Sequence, residues 1–182
     1  MIFKELGLDK NLLKALDDMN YEKPTSIQEQ VIPEILKGRD IIGCAQTGTG
    51  KTAAYILPVL QKIHEKAEES IRVLVLAPTR ELAMQIEQQL QGFAYFLDIP
   101  VAAIYGGGDP IVWEHQKKAL NNKTDVIIAT PGRLISHLNF QYADFSGLGW
   151  LILDEADKML DMGFYDDIMR IIEKLPEKRN TL

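Results

Sequence analysis

Eight residues, Ala45-Gln46-Thr47-Gly48-Thr49-Gly50-Lys51-Thr52, have the types and spacing to hold a phosphate chain. They follow an apolar run, Ile41-Ile42-Gly43-Cys44, and precede a helix-forming one, Ala53 to Leu57, so they read as strand, glycine-rich turn and helix N-terminus. Such a turn offers several backbone N–H groups to one anion, and the helix dipole adds roughly half a positive charge there. Lys51 can reach the β- and γ-phosphates, and the Thr52 hydroxyl can ligand Mg²⁺. The usual P-loop pattern begins with Gly; Ala45 stands there instead and tolerates less backbone freedom. The bland alternative is a tight turn with a chance Gly-Lys-Thr. A second motif follows the apolar run Leu151-Ile152-Leu153, which ends in Asp154-Glu155-Ala156-Asp157. Asp154 would hold Mg²⁺, through water, since that ion keeps much of its hydration shell. Glu155 would orient or deprotonate an attacking water. Acids at a strand end are costly unless a cation offsets them. The alternative here is an acidic helix cap after a strand. Read together, the two motifs are expected to face one another across a magnesium–triphosphate cavity, with Lys51, Asp154 and Glu155 as the catalytic set and Thr52 and Asp154 as the metal ligands.

These groups need elements to position them. A short amphipathic helix runs from about Asp9 to Met19 with Asp9 as cap. A second follows Pro24-Thr25, with Ser26 as expected N-cap, Glu29 completing a capping box and Gly38 closing the far end. Short apolar strands then alternate with helices. The strands are expected at about Ile41–Cys44, Val73–Ala77, Val101–Tyr105, Asp125–Ala129 and Trp150–Leu153. The helices are expected at about Lys51–Lys66, Glu81–Phe96, Ile111–Leu120, Pro131–His137 and Tyr165–Leu175. Continuous Val/Ile/Leu strands imply burial on both faces, hence a mostly parallel sheet with helices on both sides. Ligands of such sheets bind beyond the carboxyl ends of the strands. Every candidate functional turn follows a strand.

Bulk properties narrow the function classes. The length of 182 residues suits one domain. A net charge of −6 excludes a broad basic coat, so any nucleic acid must bind at a local groove. The single cysteine, Cys44, excludes an internal disulfide and points to a reducing, cytoplasmic setting. It reads as a small core residue. The three histidines are far apart and form no zinc pattern. No apolar run approaches the roughly 18 residues of a membrane span.

With these motifs in place, the chain resembles the first, N-terminal RecA-like domain of DEAD-box ATP-dependent RNA helicases, over essentially its whole length and with motifs in family order. Tyr21-Glu22-Lys23-Pro24-Thr25-Ser26-Ile27-Gln28 is similar to the family's adenine-reading segment, with Asn20 where the family places Gly. The resemblance implies that Tyr21, Lys23, Thr25 and Gln28 select adenine, with ATP or ADP as the nucleotide. A glutamine amide offers a donor and an acceptor, as adenine N7 and N6 require, and a tyrosine offers a ring face. Phe3 stands where the family has an upstream aromatic supporting that pocket; a core phenylalanine pinning the N-terminal helix is the equal alternative. Thr25 reads equally as a cap neighbour. Thr47, Gly48, Thr49, Gly50, Lys51 and Thr52 are implied to hold the phosphates. Pro78-Thr79-Arg80, Gly106-Gly107 and Thr130-Pro131-Gly132-Arg133 resemble the family's RNA-contacting turns. Thr79 and Thr130 each begin a helix, and Pro131 takes the favoured first helical position. Such groups suit phosphate oxygens and read no base edge, so sequence-independent binding of single-stranded RNA, or of a duplex as it opens, is implied. Trp113 and His115 read as surface packing, and Gly163-Phe164 as structural.

The expected organisation is residues 1–38 as an adenine-reading helical segment and 39–182 as a P-loop core. The sequence ends at Arg179-Asn180-Thr181-Leu182, whereas the family continues into a strand carrying Ser-Ala-Thr and a second RecA-like domain. That domain is the implied partner; its arginines stabilise phosphoryl transfer, an effect of about 10³–10⁵ in related NTPases. These 182 residues alone are therefore expected to bind adenine nucleotide with little turnover, and the sheet is expected to lack a filled slot beside the nucleotide-turn strand. Two other readings stay open: a nucleotide- or RNA-binding module without turnover, and a different P-loop enzyme such as a small-molecule kinase.

Overall fold

The helices form where the capping chemistry directs them. In the computed structural model, which describes residues 2–46, 48–66, 68–107 and 110–182, the elements run α1 (Lys10–Asp18), α2 (Ser26–Leu36), α3 (Lys51–His64), β1 (Val73–Leu76), α4 (Arg80–Ala94), β2 (Val101–Ile104), α5 (Pro110–Asn121), β3 (Val126–Ala129), α6 (Pro131–Leu138), β4 (Trp150–Leu153), α7 (Ala156–Asp161), α8 (Tyr165–Ile172) and β5 (Asn180–Thr181). Asp9 caps α1 by accepting from the N–H groups of Asn11 and Leu12 at 2.8 and 2.9 Å. The cap of α2 is Thr25, one residue earlier than expected, and Gln28 Oε1 accepts from the Thr25 N–H at 2.9 Å. Gln28 thus takes the capping-box position that Glu29 was expected to fill. Helix α7, too short for a readable period, begins where the sequence offers an acidic helix cap as the alternative reading of its second motif.

Two compact units result. The first holds residues 2–66, Gln89–Ile99 and Asn180–Leu182. Here α2 packs against α3, whose residues Ala53 to Leu60 are all buried. Gln61 ties α3 to the start of α1 by accepting from the Asp9 N–H at 2.9 Å and donating to Gly7 O at 3.2 Å. Phe3, Tyr21 and Phe93 meet edge to face.

The strand expected at Ile41–Cys44 does not form. Residues 41–44 carry no strand, Ile42 is 97% exposed, and Cys44 is exposed and not a core residue. An apolar run becomes a strand only when a neighbour pairs with it. Within this unit Thr181 O accepts one bond from the Ile41 N–H at 3.2 Å, and two-residue β5 offers no longer ladder. β5 is itself held by Asp40, whose Oδ1 accepts from the Thr181 N–H at 2.8 Å.

The second unit holds Glu68–Gln88 and Pro100–Arg179. Its four strands lie in the order β2-β3-β1-β4, all parallel, with Leu76 opposite both Ala129 and Leu153, and Ile104 opposite Ala129. Central β1 and β3 are buried throughout, as uninterrupted Val/Ile/Leu runs require. Their side chains meet Leu120, Leu134, Met159, Ile168 and Ile171 from the helices. An ion pair between Arg72 and Asp125, 2.7 Å, fastens the entry of β1 to that of β3. Burial pushes the Asp125 carboxyl up, and the Arg72 guanidinium opposes that shift. Because the strands are parallel and in register, the turns after β1, β2, β3 and β4 all leave the sheet at one edge.

Candidate functional site

The phosphate-type turn lies in the first unit. Gly48 and Gly50 both adopt left-handed backbone, φ 82° and 86°, which frees the chain to swing into α3. The first intrahelical bond runs from the Ala54 N–H to Gly50 O at 3.1 Å, so the N–H groups of Lys51, Thr52 and Ala53 precede the ladder. Among the described residues no side-chain bond caps the helix start, and no acidic residue occupies the first turn. Lys51 Nζ folds over the loop and donates to Ala45 O at 2.5 Å, while Thr49 Oγ1 donates to Gln46 O at 2.7 Å. Open donors and a nearby ammonium, with no acidic residue in the first helical turn, are a donor set suited to a polyphosphate. Thr47, also expected in this site, lies outside the described residues.

Gln28 is joined to this turn. Its side chain is 1% exposed, and Nε2 donates to Gly50 O at 3.1 Å. A Cβ at Gly50 would lie 2.4 Å from that nitrogen, so only glycine fits. Once Thr25 and Gly50 are served, the amide retains one N–H and one lone pair, the complement of an adenine edge. Tyr21 stands differently from the expectation of a free stacking face: its hydroxyl accepts from Gln89 Nε2 at 2.8 Å, and its ring meets Phe93 at 5.5 Å between centroids. Phe3 is buried, which agrees with a core role. Lys23 and Thr25 are exposed.

The acidic motif and the three further turns lie in the second unit, all at the sheet edge described above. Asp154 is 8% exposed, and its N–H continues the ladder onto Leu76 O at 3.0 Å. Glu155 caps α7 in left-handed backbone, φ 51°, a conformation that costs a non-glycine residue about 1 kcal/mol or more. Its carboxylate meets Lys158 at 3.4 Å, and Asp157 is exposed. Thr79 Oγ1 accepts from the Leu82 N–H at 3.2 Å, capping α4. Pro78 is buried, and Arg80 donates to Gly107 O at 3.0 Å while stacking 5.0 Å from the Tyr105 ring centre. Thr130 caps α6 with Pro131 following it, as expected, and no side-chain bond occupies the cap. Gly106 and Gly132 are exposed.

Arg133 belongs to a cluster that sequence reasoning missed. Its Nε donates to Gln116 Oε1 at 2.8 Å, and its guanidinium lies 4.4 Å from the Trp113 ring centre. Trp113 is stacked on His137, with centroids 3.9 Å apart and planes 14° from parallel. His137 is fully buried and lies between Gln116 Oε1, at 3.1 Å from Nε2, and the Tyr142 hydroxyl on Nδ1. Burial, helped by the Arg133 charge, pushes the imidazole down to about 4, so it is neutral. Trp113 is therefore a packing partner of a predicted RNA residue. The available signal was periodicity: Gln116 sits four residues before buried Leu120, and His137 three after buried Leu134, so both are polar residues on core-facing stripes.

With this geometry in hand, known proteins give a consistent picture. The DEAD/DEAH box helicase model matches residues 25–182. The proteins named ATP-dependent RNA helicase CshA from Listeria monocytogenes and from Limosilactobacillus reuteri are each 43% identical, across 99% and 100% of this chain. The chain spans only 34% and 36% of their lengths. A DEAD box protein from the hyperthermophile Methanococcus jannaschii superposes with a TM-score of 0.92 at 36% identity, covering 100% of this chain and 49% of that one. The RNA-helicase Prp28 from Chaetomium thermophilum, bound to ADP, superposes at 0.90 with 39% identity, covering 100% and 44%.

Proposed function

The chain belongs to the DEAD/DEAH box helicase family and has its RecA-like α/β fold, and from that premise we propose that it is the ATP-binding domain of an RNA-stimulated ATPase that separates or remodels RNA duplexes. The observation that carries the reading is the bond from Gln28 to Gly50, which wires an adenine-complementary amide to the phosphate turn. Gln28 selects the base, and the N–H groups at the start of α3 hold the phosphates with Lys51. Thr47, Gly48, Thr49 and Gly50 shape that cradle. Thr52 and Asp154 are the oxygen donors this chain offers to Mg²⁺, which takes its other ligands from phosphate and water. When bound, the metal neutralises charge on the phosphate oxygens. Glu155, held in left-handed backbone, orients or deprotonates the attacking water. Asp157 relays nucleotide state onward. The turns at Thr79–Arg80, Gly106–Gly107 and Thr130–Arg133 grip the RNA backbone without reading bases, which is how an acidic chain with a single-edge cluster of donors binds a polyanion. A reducing cytoplasm suits the lone exposed Cys44.

These 182 residues alone are proposed to bind adenine nucleotide with little turnover, since the chain spans only 34% and 36% of the length of the relatives named ATP-dependent RNA helicase. Calorimetric titration with ADP and GDP tests the nucleotide reading. ADP is expected to bind at least about tenfold tighter than GDP, a preference worth one good hydrogen bond to base, and Gln28→Ala is expected to erase it. Equal binding of the two by the unmodified chain would sink the assignment.

A further inference from the structure

Three segments of the second unit are proposed above to contact RNA, yet they are separate in sequence and make few direct bonds to one another. What joins them is Gln116, a residue in none of them. Its side chain is 5% exposed and every polar atom on it is used. Nε2 donates to Tyr105 O at 2.9 Å, while Oε1 accepts from Arg133 Nε at 2.8 Å and faces His137 Nε2 at 3.1 Å. The amide has only one orientation: turned over, its NH₂ would face the donor-only guanidinium. With Oε1 already an acceptor, His137 must present Nε2–H to it, which leaves Nδ1 bare to accept from the Tyr142 hydroxyl. From Tyr105 the connection continues to Arg80, whose guanidinium lies over the Tyr105 ring and donates to Gly107 O. One end of the chain of contacts is therefore Arg80 with Gly107, and the other is Arg133. Arg133 Nη2 is buried and has no hydrogen-bond partner among the described residues. A buried charged donor left in that condition is costly until an anion reaches it.

We propose that Gln116 is the positioning residue of the RNA-contact edge: it fixes the Arg133 guanidinium against the Trp113 ring and holds the Tyr105–Gly107 turn at a set distance from it, so that three separate segments engage successive phosphates of one strand. The proposal rests on the RNA reading above and adds the residue that makes the contacts act together.

The test is a double-mutant cycle on binding of a fluorescent single-stranded oligouridylate, read at several salt concentrations. Gln116→Met keeps the volume and removes both polar ends. It is expected to weaken RNA binding about tenfold, the worth of a charge-assisted hydrogen bond, and to lower the slope of log affinity against log salt by about one phosphate contact. ADP affinity is expected to stay the same. In an Arg133→Ala background the same substitution is expected to change the slope no further. Should Q116M fail to fold, Gln116→Glu carries the cycle: its effect, of either sign, must shrink when Arg133 is absent. Unmodified protein that ignores RNA sinks the RNA reading and the positioning role with it. Protein that binds RNA while Q116M, or Q116E in its place, acts identically with and without Arg133 overturns the positioning role alone.

Discussion

Gly50 and Gly107 sit in turns that resemble one another in backbone and differ in what surrounds them. Both adopt left-handed φ, 86° and 84°, and both belong to a segment proposed above to bind phosphate. Around Gly50 the neighbour is the Nε2 of Gln28, an amide buried and bonded at both ends, 2.4 Å from where a Cβ would stand. Around Gly107 the neighbour is Arg80 Nη1, the far end of an exposed side chain, at 3.3 Å. The turn proposed to hold nucleotide is thus fixed by a rigid buried contact, whereas the turn proposed to touch RNA is held by one long side chain that can yield. A site that must discriminate one base needs fixed atoms; a site that grips any backbone needs donors that adapt.

Substitutions can break this comparison. Gly50→Ala is expected to have the largest effect, about 3 kcal/mol of stability by urea unfolding, since the backbone strain adds to the loss of a buried hydrogen bond. It should also abolish adenine preference. A loss under about 1 kcal/mol would mean that Gln28 moves aside freely and that the nucleotide turn is no more rigid than the other.

Next in size is a pH effect confined to the second unit. His137 is neutral in the folded chain, with its acidity near 4 against 6.5 when unfolded. Between those values the unfolded chain binds more protons, so stability is full above pH 6.5 and drains away as pH falls toward 4. The expected loss from pH 7 to pH 4.5 is about 2 kcal/mol, following from roughly 1.4 kcal/mol per pH unit. Carboxylates add their own slope, so the measurement is the difference between the native chain and His137→Gln, whose uncharged side chain carries no such term. Parallel pH curves for the two would show that the imidazole is less enclosed than its contacts indicate.

The smallest effect belongs to Gly107→Ala, expected to cost about 1 kcal/mol of backbone strain and no more, because Arg80 swings away. Circular dichroism melts of the Gly50 and Gly107 variants side by side give the sharpest form of the contrast. Equal losses would erase it.

Much of this was legible in advance. The parallel strands Val73–Leu76, Val126–Ala129 and Trp150–Leu153 were readable because uninterrupted apolar runs have one stable destination, the middle of a covered sheet. The same reasoning misled at Ile41–Cys44, where a similarly apolar run lacks a ladder to join and Ile42 faces solvent. Composition states what a segment would bury; pairing is a property of two segments. The Thr25 cap was misplaced by one residue for a similar reason, since Ser26 and Glu29 form as good a local pattern as Thr25 and Gln28, and the bond to Gly50 decides between them.

The sequence by itself determined the local chemistry: a glycine turn opening a helix at Lys51, carboxylates at a strand end, threonine and proline at the start of α6. Those features depend on residues a few positions apart, which covalent geometry and helix capping hold together whatever the rest does. Only the tertiary structure decided that Gln28 closes on Gly50, that Tyr21 is pinned by Gln89, and that Gln116 and His137 stand behind Arg133. Each of these is a buried or half-buried polar group whose partner lies far along the chain or on another helix, and the cost of leaving such a group unpaired selects the partner only once packing has brought the candidates within reach.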